Sequence, residues 1–311
     1  MEQKGVESQL MICGIVDLGS NTIRLSVYQC QGEKFHLLTH RKVTAGLADY
    51  VEHGALSPQG IQVACQTLND DRLLMENLGF APPRVFATAS LRNISNTEEA
   101  VAQLQAETGL NVEVLSGTEE ARLSFLGAAH GNGPASGLLI DLGGGSTELV
   151  RYENYLLQSA CSLSVGSLSL FSRNVSGLHP DKKERKAIRA QVRAQLEKRV
   201  GVPSPVPHAC GVGGTVRAAC QVANLLLDRP QDIRVLSRAE LHQLLKRLKH
   251  PSHRDLHLLL KAAPDRIHTL IPGMLALETI AETYGVETIT ASPWGVREGY
   301  LRDRVLKEGQ A

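Results

Sequence analysis

Residues 138–150, LLIDLGGGSTELV, decide the fold: an apolar run leads into Asp-Leu-Gly, a turn of small residues follows, and a β-rich run leaves the turn. Residues 14–27, GIVDLGSNTIRLSV, repeat this order. Apolar runs joined by glycine and small polar residues are typical of strand–turn–strand hairpins. Asp17 and Asp141 each lie at the end of the first strand of a predicted hairpin. They are about one domain length apart in the sequence. We therefore expect a duplicated unit whose two hairpins face each other across an interdomain cleft.

Helices and strands alternate through the rest of the chain, which favours α/β domains. Local signals predict helices that open at Ser57-Pro58, between Asn96 and Glu99, and after Ser116, and strands at 85–88, 111–115 and 160–165. Further helices are predicted over 181–199 and after a capping box at Ser237 and Glu240. We predict two α/β domains, residues 1–128 and 129–297, with a C-terminal helix at about 298–311 that packs back on the first domain.

The amino-acid composition argues against several classes of function. The 311 residues carry a formal net charge of +1, which argues against a nucleic-acid partner. No apolar run approaches the ~18 residues that a membrane span needs. The start of the chain has no clear leader pattern, and the cysteines are scattered, so we expect an unprocessed, cytoplasmic protein without a membrane partner.

The two Asp-Leu-Gly turns suit a metal-bound phosphate chain. Glycines and small residues let backbone N–H groups approach an anion, and an aspartate at a strand end holds a divalent cation, directly or through water. The alternative is that each Asp-Leu-Gly only makes a tight hairpin. Two copies, the second with Gly143, Gly144, Gly145 and Ser146, favour phosphate binding.

Two adjacent glutamates follow Ser116. Glu119 fits the third helical position of a capping box, which is a structural role. Glu120 has no such role, and early in a helix the dipole keeps its carboxylate ionised, as a general base requires. A solvated helix carboxylate is the alternative for Glu120.

Several basic or glycine-rich positions are further candidates. Arg24 and Arg92 have guanidinium groups that match phosphate oxygens, and surface solvation is the alternative for each. The turn that contains Gly213, Gly214 and Thr215 opens a helix and is a candidate anion site. The basic stretch 182–199 contains acids and no aromatic residue, and we interpret it as a solvated helix face.

Six motifs together resemble the exopolyphosphatase / guanosine pentaphosphate phosphatase family. They are DLGSNTIRL at 17–25, ATASLR at 87–92 with Asn96 after it, SGTEEAR at 116–122, DLGGGSTE at 141–148, GVGGT at 211–215 and SPWGVREG at 292–299. They occur in order over nearly the whole chain, so the resemblance is specific.

The resemblance implies two actin-like (ribonuclease H-like) α/β domains and Mg²⁺- or Mn²⁺-dependent hydrolysis of a terminal phosphoanhydride. The implied partners are inorganic polyphosphate or guanosine pentaphosphate, and a second copy in a homodimer. Glu120 would be the base that activates water, and Asp141, Glu148 and Asp17 would hold the metal. Phosphate contacts would come from residues shared by the motifs: Ser20, Asn21, Arg24, Arg92, Gly143, Gly144, Gly145, Ser146, Gly213, Gly214 and Thr215.

Two other functions fit the same residues. One is a small-molecule kinase of the actin-like class, which usually places an acceptor-activating aspartate where Glu120 is expected. The other is a sensor that binds guanosine penta- or tetraphosphate without useful turnover. The chain ends shortly after the last motif, whereas longer relatives continue into helical domains, so we expect short polyphosphates or the nucleotide to be favoured over long chains.

Overall fold

The computed structural model describes residues 10–128, 134–201 and 203–307. The interpretation of the start as unprocessed concerns residues 1–9, and the predicted C-terminal helix includes residues 308–311. Both stretches lie outside the described residues. The chain forms two compact units, Met1–Ser116 with Tyr300–Ala311, and Gly117–Gly299.

The secondary structure alternates as the sequence predicts. In the described ranges the strands are β1 Met11–Leu18, β2 Ile23–Gln31, β3 Lys34–Val43, β4 Val51–Glu52, β5 Ala55–Leu56, β6 Arg84–Ala87, β7 Val112–Val114, β8 Gly137–Leu142, β9 Thr147–Glu153, β10 Leu156–Leu163, β11 His208–Val212, β12 Val235–Ser237 and β13 Thr288–Ala291. The α-helices there are α1 Pro58–Asn77, α2 Ala89–Arg92, α3 Thr97–Thr108, α4 Gly117–Ala128, α5 Ser167–Asn174, α6 Lys182–Arg199, α7 Gly214–Leu226, α8 Arg238–Arg247, α9 His253–Ala262, α10 Leu270–Thr283 and α11 Val296–Tyr300. Short 3₁₀ turns span Leu47–Tyr50 and Pro264–Arg266, and a π-helical segment spans Leu301–Leu306.

Each unit is built on a mixed sheet of the same topology. The order in the first sheet is β3-β2-β1-β6-β7, with β1, β6 and β7 parallel and β2 and β3 antiparallel. The order in the second is β10-β9-β8-β11-β13, and β12 adds an antiparallel edge strand to β13. Strand for strand, the two orders are the same, so the duplication predicted from the two hairpins is confirmed.

The duplication extends to single hydrogen bonds in the two turns. In the first turn the Gly19 N–H donates to the Thr22 carbonyl at 3.1 Å, and in the second the Gly143 N–H donates to the Ser146 carbonyl at 3.0 Å. The residues across the hairpin also correspond. Asp17 is the cross-strand partner of Arg24, and Asp141 is the cross-strand partner of Glu148. The repeated backbone therefore carries opposite charges at one matched position.

Most predicted helix ends are confirmed. The Ser57 hydroxyl accepts the Gly60 N–H at the start of α1, and Gly109 ends α3 with a left-handed backbone. The capping box of Ser237 and Glu240 forms at the start of α8. Leu241, Leu244, Leu245 and Leu248, which follow this box at helical spacing, are all buried.

Two local details differ from what the sequence pattern suggests. α3 opens between Asn96 and Glu99 as predicted, but the Asn96 side chain does not cap it, because its carboxamide bonds both the N–H and the carbonyl of Leu56, at 2.9 and 3.0 Å. The strand predicted at 160–165 starts earlier, at Leu156, since its exposed first half pairs with Tyr152 and Glu153 of β9.

The two units differ from the predicted domains in where α4 belongs. This helix packs against β9 and β10 and is counted with Gly117–Gly299, whereas the sequence placed it in residues 1–128. The segment from Tyr300 onwards belongs to the first unit, where the Tyr300 hydroxyl donates to Glu113 at 2.9 Å. In the described part of the chain no helix is long and apolar enough to cross a membrane.

Candidate active site

A row of polar side chains crosses the second sheet at the end of its central strand. Asp141 on β8 is paired with Glu148 on β9, and Glu148 is paired with Ser162 on β10. Residues directly opposite each other share one face of a sheet. The Ser162 hydroxyl donates to the Glu148 carboxylate at 2.8 Å, and both carboxylates are buried. The register therefore gathers two acids that lie seven residues apart in the chain.

Helix α4 covers this face and adds a third carboxylate. Its Ser124 hydroxyl, fully buried, donates to Asp141 Oδ2 at 2.5 Å. Glu120 lies four residues earlier, one turn along the same helix face, and is also buried. The apolar side of α4 fixes this position because Ala121 and Phe125 pack with Leu139 and Val150 of the sheet. Glu120 is thus held in the first turn of a helix that is anchored beside Asp141.

The two neighbouring glutamates of α4 have different surroundings. Glu119 is partly exposed and accepts two bonds from the Arg122 guanidinium, both at 2.9 Å. Glu120 is 7% exposed. The pairing with Arg122 ties Glu119 to the helix surface.

The glycine turn after β8 presents its backbone in one direction. The Gly143 carbonyl accepts the Ser167 N–H at 2.9 Å, and the Gly144 carbonyl accepts the N–H groups of Leu168 and Ser169 at 2.9 and 3.0 Å. In a trans peptide the N–H points opposite to the preceding carbonyl. The N–H groups of Gly144 and Gly145 therefore point away from α5. This orientation is the one that an anion cradle needs.

The N-terminus of α7 lies beside Asp141. Gly213 has φ +99°, and a Cβ there would lie 2.6 Å from the Leu142 carbonyl oxygen and 3.4 Å from Asp141 Oδ1. Only glycine fits such a position. Thr215 is 1% exposed, and its hydroxyl has no hydrogen-bond partner in the described structure. An orphaned buried hydroxyl at a helix N-terminus suits a phosphate oxygen.

Three arginines surround this helix end. The Arg266 guanidinium lies directly against the Cα of Gly214. Burial, together with the neighbouring guanidinium groups of Arg297 and Arg266, lowers the pKa of Arg217, against the opposing effect of Asp141 and Glu298. Arg217, Arg266 and Arg297 together place positive charge at this helix end, partly balanced by Asp141 and Glu298. Arginine still stays charged at neutral pH.

A cysteine on the next strand offers no competing chemistry. Burial and the Asp141 carboxylate raise the pKa of Cys210 to about 11. The thiol is therefore protonated at neutral pH, and a protonated thiol is a poor nucleophile.

The first unit holds the remaining predicted residues. Asp17 and Arg24 face each other across the first hairpin, and both are half-buried. The carbonyls of Ser20 and Asn21 accept the N–H groups of Ala48 and Gly46 at 2.9 and 3.0 Å, so the N–H groups of Asn21 and Thr22 point away from that loop. The turn has the same one-sided presentation as its counterpart.

Arg92 is tied to the same part of the first unit. The Ser90 hydroxyl, on its short helix α2, donates to the Leu18 carbonyl at the end of β1. Arg92 itself donates to the Leu115 carbonyl at 2.9 Å. The second motif is therefore docked on the first hairpin.

The available side-chain ligands indicate how the expected metal could be bound. Among the described residues no group of three or more His, Cys, Asp or Glu side chains could hold a metal ion by itself, so the predicted ligands Asp17, Asp141 and Glu148 do not form such a group. Mg²⁺ is commonly held by one or two carboxylates, water and substrate phosphates. Asp141 and Glu148, two hard oxygen donors oriented by serine hydroxyls, fit that manner of binding.

The fold defines a class: an actin-like α/β protein with two units of the same sheet topology. A family model described as the Ppx/GppA phosphatase family matches residues 26–308. The chain belongs to the Ppx/GppA phosphatase family, and the resemblance found in the six motifs is confirmed.

Similar proteins align with this chain over nearly its full length. Exopolyphosphatase 1 of Mycobacterium tuberculosis is 26% identical, with 96% of this chain and 89% of that protein covered. The crystal structure of an Aquifex aeolicus member of the Ppx/GppA family is 26% identical, with a TM-score of 0.78 and coverage of 96% and 99%. An exopolyphosphatase structure from Cytophaga hutchinsonii has a TM-score of 0.82 at 20% identity, with coverage of 96% and 98%, and shows the shared fold alone.

Sequence reasoning missed three residues of the site: Ser124 beside Asp141, Ser162 beside Glu148, and Arg266 beside Gly214. Ser124 was detectable, since it lies one helical turn after Glu120. Ser162 requires the register of β9 and β10, which contains a bulge between Leu157 and Ser159. Arg266 reaches Gly214 from a 3₁₀ turn far along the chain, and no local signal marks it.

Proposed function

We propose that the protein hydrolyses the terminal phosphoanhydride bond of inorganic polyphosphate and releases orthophosphate, with Mg²⁺ or Mn²⁺ as the metal. The observation that carries the proposal is the buried set of Glu120, Asp141 and Glu148 beside a glycine turn and a glycine-opened helix. Membership of a phosphatase family and full-length similarity to proteins named exopolyphosphatase support it.

The residues of the site have separate roles in the proposed hydrolysis. Glu120 is the general base: it accepts a proton from water while the water oxygen bonds to the terminal phosphorus. The bridging P–O bond breaks, and its electron pair leaves with the shortened chain. Because such transition states are loose, positioning and charge stabilisation supply most of the catalysis. The turn N–H groups at 144–145 and the helix end at Gly214 would hold the phosphate oxygens.

A bound Mg²⁺ would neutralise charge on the phosphate chain and orient its terminal group. Asp141 and Glu148 would hold it. Ser124 and Ser162 keep both carboxylates in place, because each hydroxyl donates a hydrogen bond to one of them. In the first unit, taken by itself, Arg24 and Arg92 would bind phosphate oxygens, and Asp17 is a candidate carboxylate for a divalent cation.

Guanosine pentaphosphate is the second candidate substrate. It ends in the same kind of anhydride, so the same base and phosphate contacts would serve it. The three arginines around the N-terminus of α7 favour a ligand with several phosphate groups over a single orthophosphate.

Purified protein with Mg²⁺ should be incubated in parallel with polyphosphate, guanosine pentaphosphate, and ATP with candidate acceptors. We expect orthophosphate release and chains that shorten from their ends on a gel. Phosphate transfer to an acceptor without release would indicate a kinase. Tight nucleotide binding by calorimetry with no release under any divalent metal would indicate a sensor.

A further inference from the structure

A strongly basic groove lies in the second unit, on helices that the proposed reaction does not use. It has a volume of about 940 Å³ and runs between α6 and α8. Seven of its lining residues are Lys or Arg, and one, Asp181, is an acid. Since the whole chain has a net charge of only +1, positive charge is concentrated here.

The cations form stripes that face each other. Lys182, Lys186, Arg189 and Arg193 lie at helical spacing along α6. Across the groove, Lys246 lies in the last turn of α8 and Lys249 in the turn that follows the helix. The α6 stripe is about 16 Å long at ~1.5 Å per residue. A single phosphate would contact a fraction of it, whereas a linear chain of phosphates would contact all of it.

The groove is preformed by buried polar contacts. Arg185, 5% exposed, donates to the carbonyls of Leu245 and Leu248 at 3.0 and 2.7 Å and so ties α6 to the end of α8. Both helices pack on α10, where the buried Glu278 accepts bonds from Arg189 and His242. The walls are therefore held in place without a ligand.

Much of the positive charge is left for a ligand. Glu278 pairs with Arg189, and Glu282 pairs with Arg193 at 3.2 Å. In the described structure, the four lysines of the groove have no carboxylate within ion-pair distance: Lys182, Lys186, Lys246 and Lys249. Exposed lysines in two facing rows attract polyanions through counterion release.

We propose that this groove is a second binding site for inorganic polyphosphate, on helices that cover the face of the second sheet opposite to α4 and Glu120. This proposal rests on the proposed function. The lining contains no Phe, Tyr or Trp, which single-stranded nucleic acids use for stacking, so a bare phosphate chain fits better. Residues 182–199 were expected to form a solvated helix face, and their lysines are exposed. Five residues of this stretch also line the groove.

Paired variants test the groove. The groove variant carries Lys182→Gln, Lys186→Gln and Lys246→Gln. The control carries Lys183→Gln, Lys198→Gln and Lys261→Gln, which removes the same charge from exposed positions of α6 and α9 outside the groove. Binding of long-chain polyphosphate is measured by calorimetry without divalent metal, so that turnover plays no part.

We expect the groove variant to bind long-chain polyphosphate about tenfold more weakly, with a shallower salt dependence, and the control to stay within about twofold of the unmodified protein. With Mg²⁺, the KM for long chains should rise in the groove variant, while KM and kcat for tripolyphosphate should not change. Equal binding by the two variants, or tighter binding of single-stranded DNA than of polyphosphate at the same salt, would overturn the proposal. Failure of the proposed function would give a different result. The unmodified protein would then release no phosphate, while the groove variant would still bind polyphosphate more weakly than the control.

Discussion

At the scale of single residues, the site depends on hydroxyl groups that orient carboxylates. Ser124 donates to Asp141 from α4, and Ser162 donates to Glu148 from β10. Groups that orient a metal ligand usually matter nearly as much as the ligand itself. The positions of Asp141 and Glu148 are therefore set by two other elements of the same unit.

Ser124→Ala removes one of these bonds and should weaken the apparent affinity for Mg²⁺ by about 10- to 100-fold. The fold should survive, because one buried hydrogen bond contributes only about 1 kcal/mol. The readout is phosphate release as a function of Mg²⁺ concentration. Ser159→Ala, an exposed serine on β10, is the control. An unchanged Mg²⁺ requirement in Ser124→Ala would show that this serine does not position Asp141.

Some residues of the site can be predicted from the sequence alone, and others cannot. Asp141 and Glu120 stand out because local structure leaves them without a role: one ends a strand before glycines, and the other follows a glutamate that has its own partner. Ser162 and Arg266 are invisible locally, since only strand register and a long-range contact bring them to the site.

At the scale of secondary-structure elements, the repeated hairpins and most helix caps follow from local chemistry. Asn96 shows where this reasoning fails. Its position before α3 fits a cap, but its carboxamide gains two backbone bonds to Leu56, forty residues away in the chain. The placement of α4 fails for the same reason, because nothing local says which sheet its apolar face covers.

The start of α7 gives a prediction about backbone geometry. Gly213→Ala should destabilise the second unit by about 3 kcal/mol, since φ +99° with ψ 165° is almost exclusive to glycine. The new methyl group would also press on the Leu142 carbonyl. Urea denaturation provides the measurement.

Gly109→Ala is the matched control for that variant. Gly109 also has a positive φ, but a Cβ there meets nothing within 4 Å. The loss of unfolding free energy in Gly109→Ala should be about 1–2 kcal/mol, which is the typical cost of a left-handed backbone for a residue with a Cβ. Equal losses in the two variants would mean that the close contact at Gly213 contributes nothing.

At the scale of the whole molecule, metal should matter for activity and little for folding. No described group of three or more His, Cys, Asp or Glu side chains could hold a metal ion by itself. Structural metals that stabilise a fold are usually caged by several protein ligands. Chelation should therefore abolish phosphate release and shift the melting temperature by no more than about 2 °C.

Addition of Mg²⁺ or Mn²⁺ should then restore activity fully. The two measurements are a phosphate assay and thermal denaturation followed by circular dichroism, both before and after chelation. Activity that persists after exhaustive chelation would contradict the metal-dependent proposal. A large fall in melting temperature would instead indicate a structural metal.

The most direct test of the central claim compares two adjacent glutamates on one helix. Glu120→Gln removes the proposed base, and Glu119→Gln removes a carboxylate that pairs with Arg122 on the surface of α4. Orthophosphate release from polyphosphate should fall by at least about 10²-fold in Glu120→Gln and by less than about threefold in Glu119→Gln, with both proteins folded. Full activity in Glu120→Gln, or equal losses in the two variants, would contradict the assignment of Glu120 as the base.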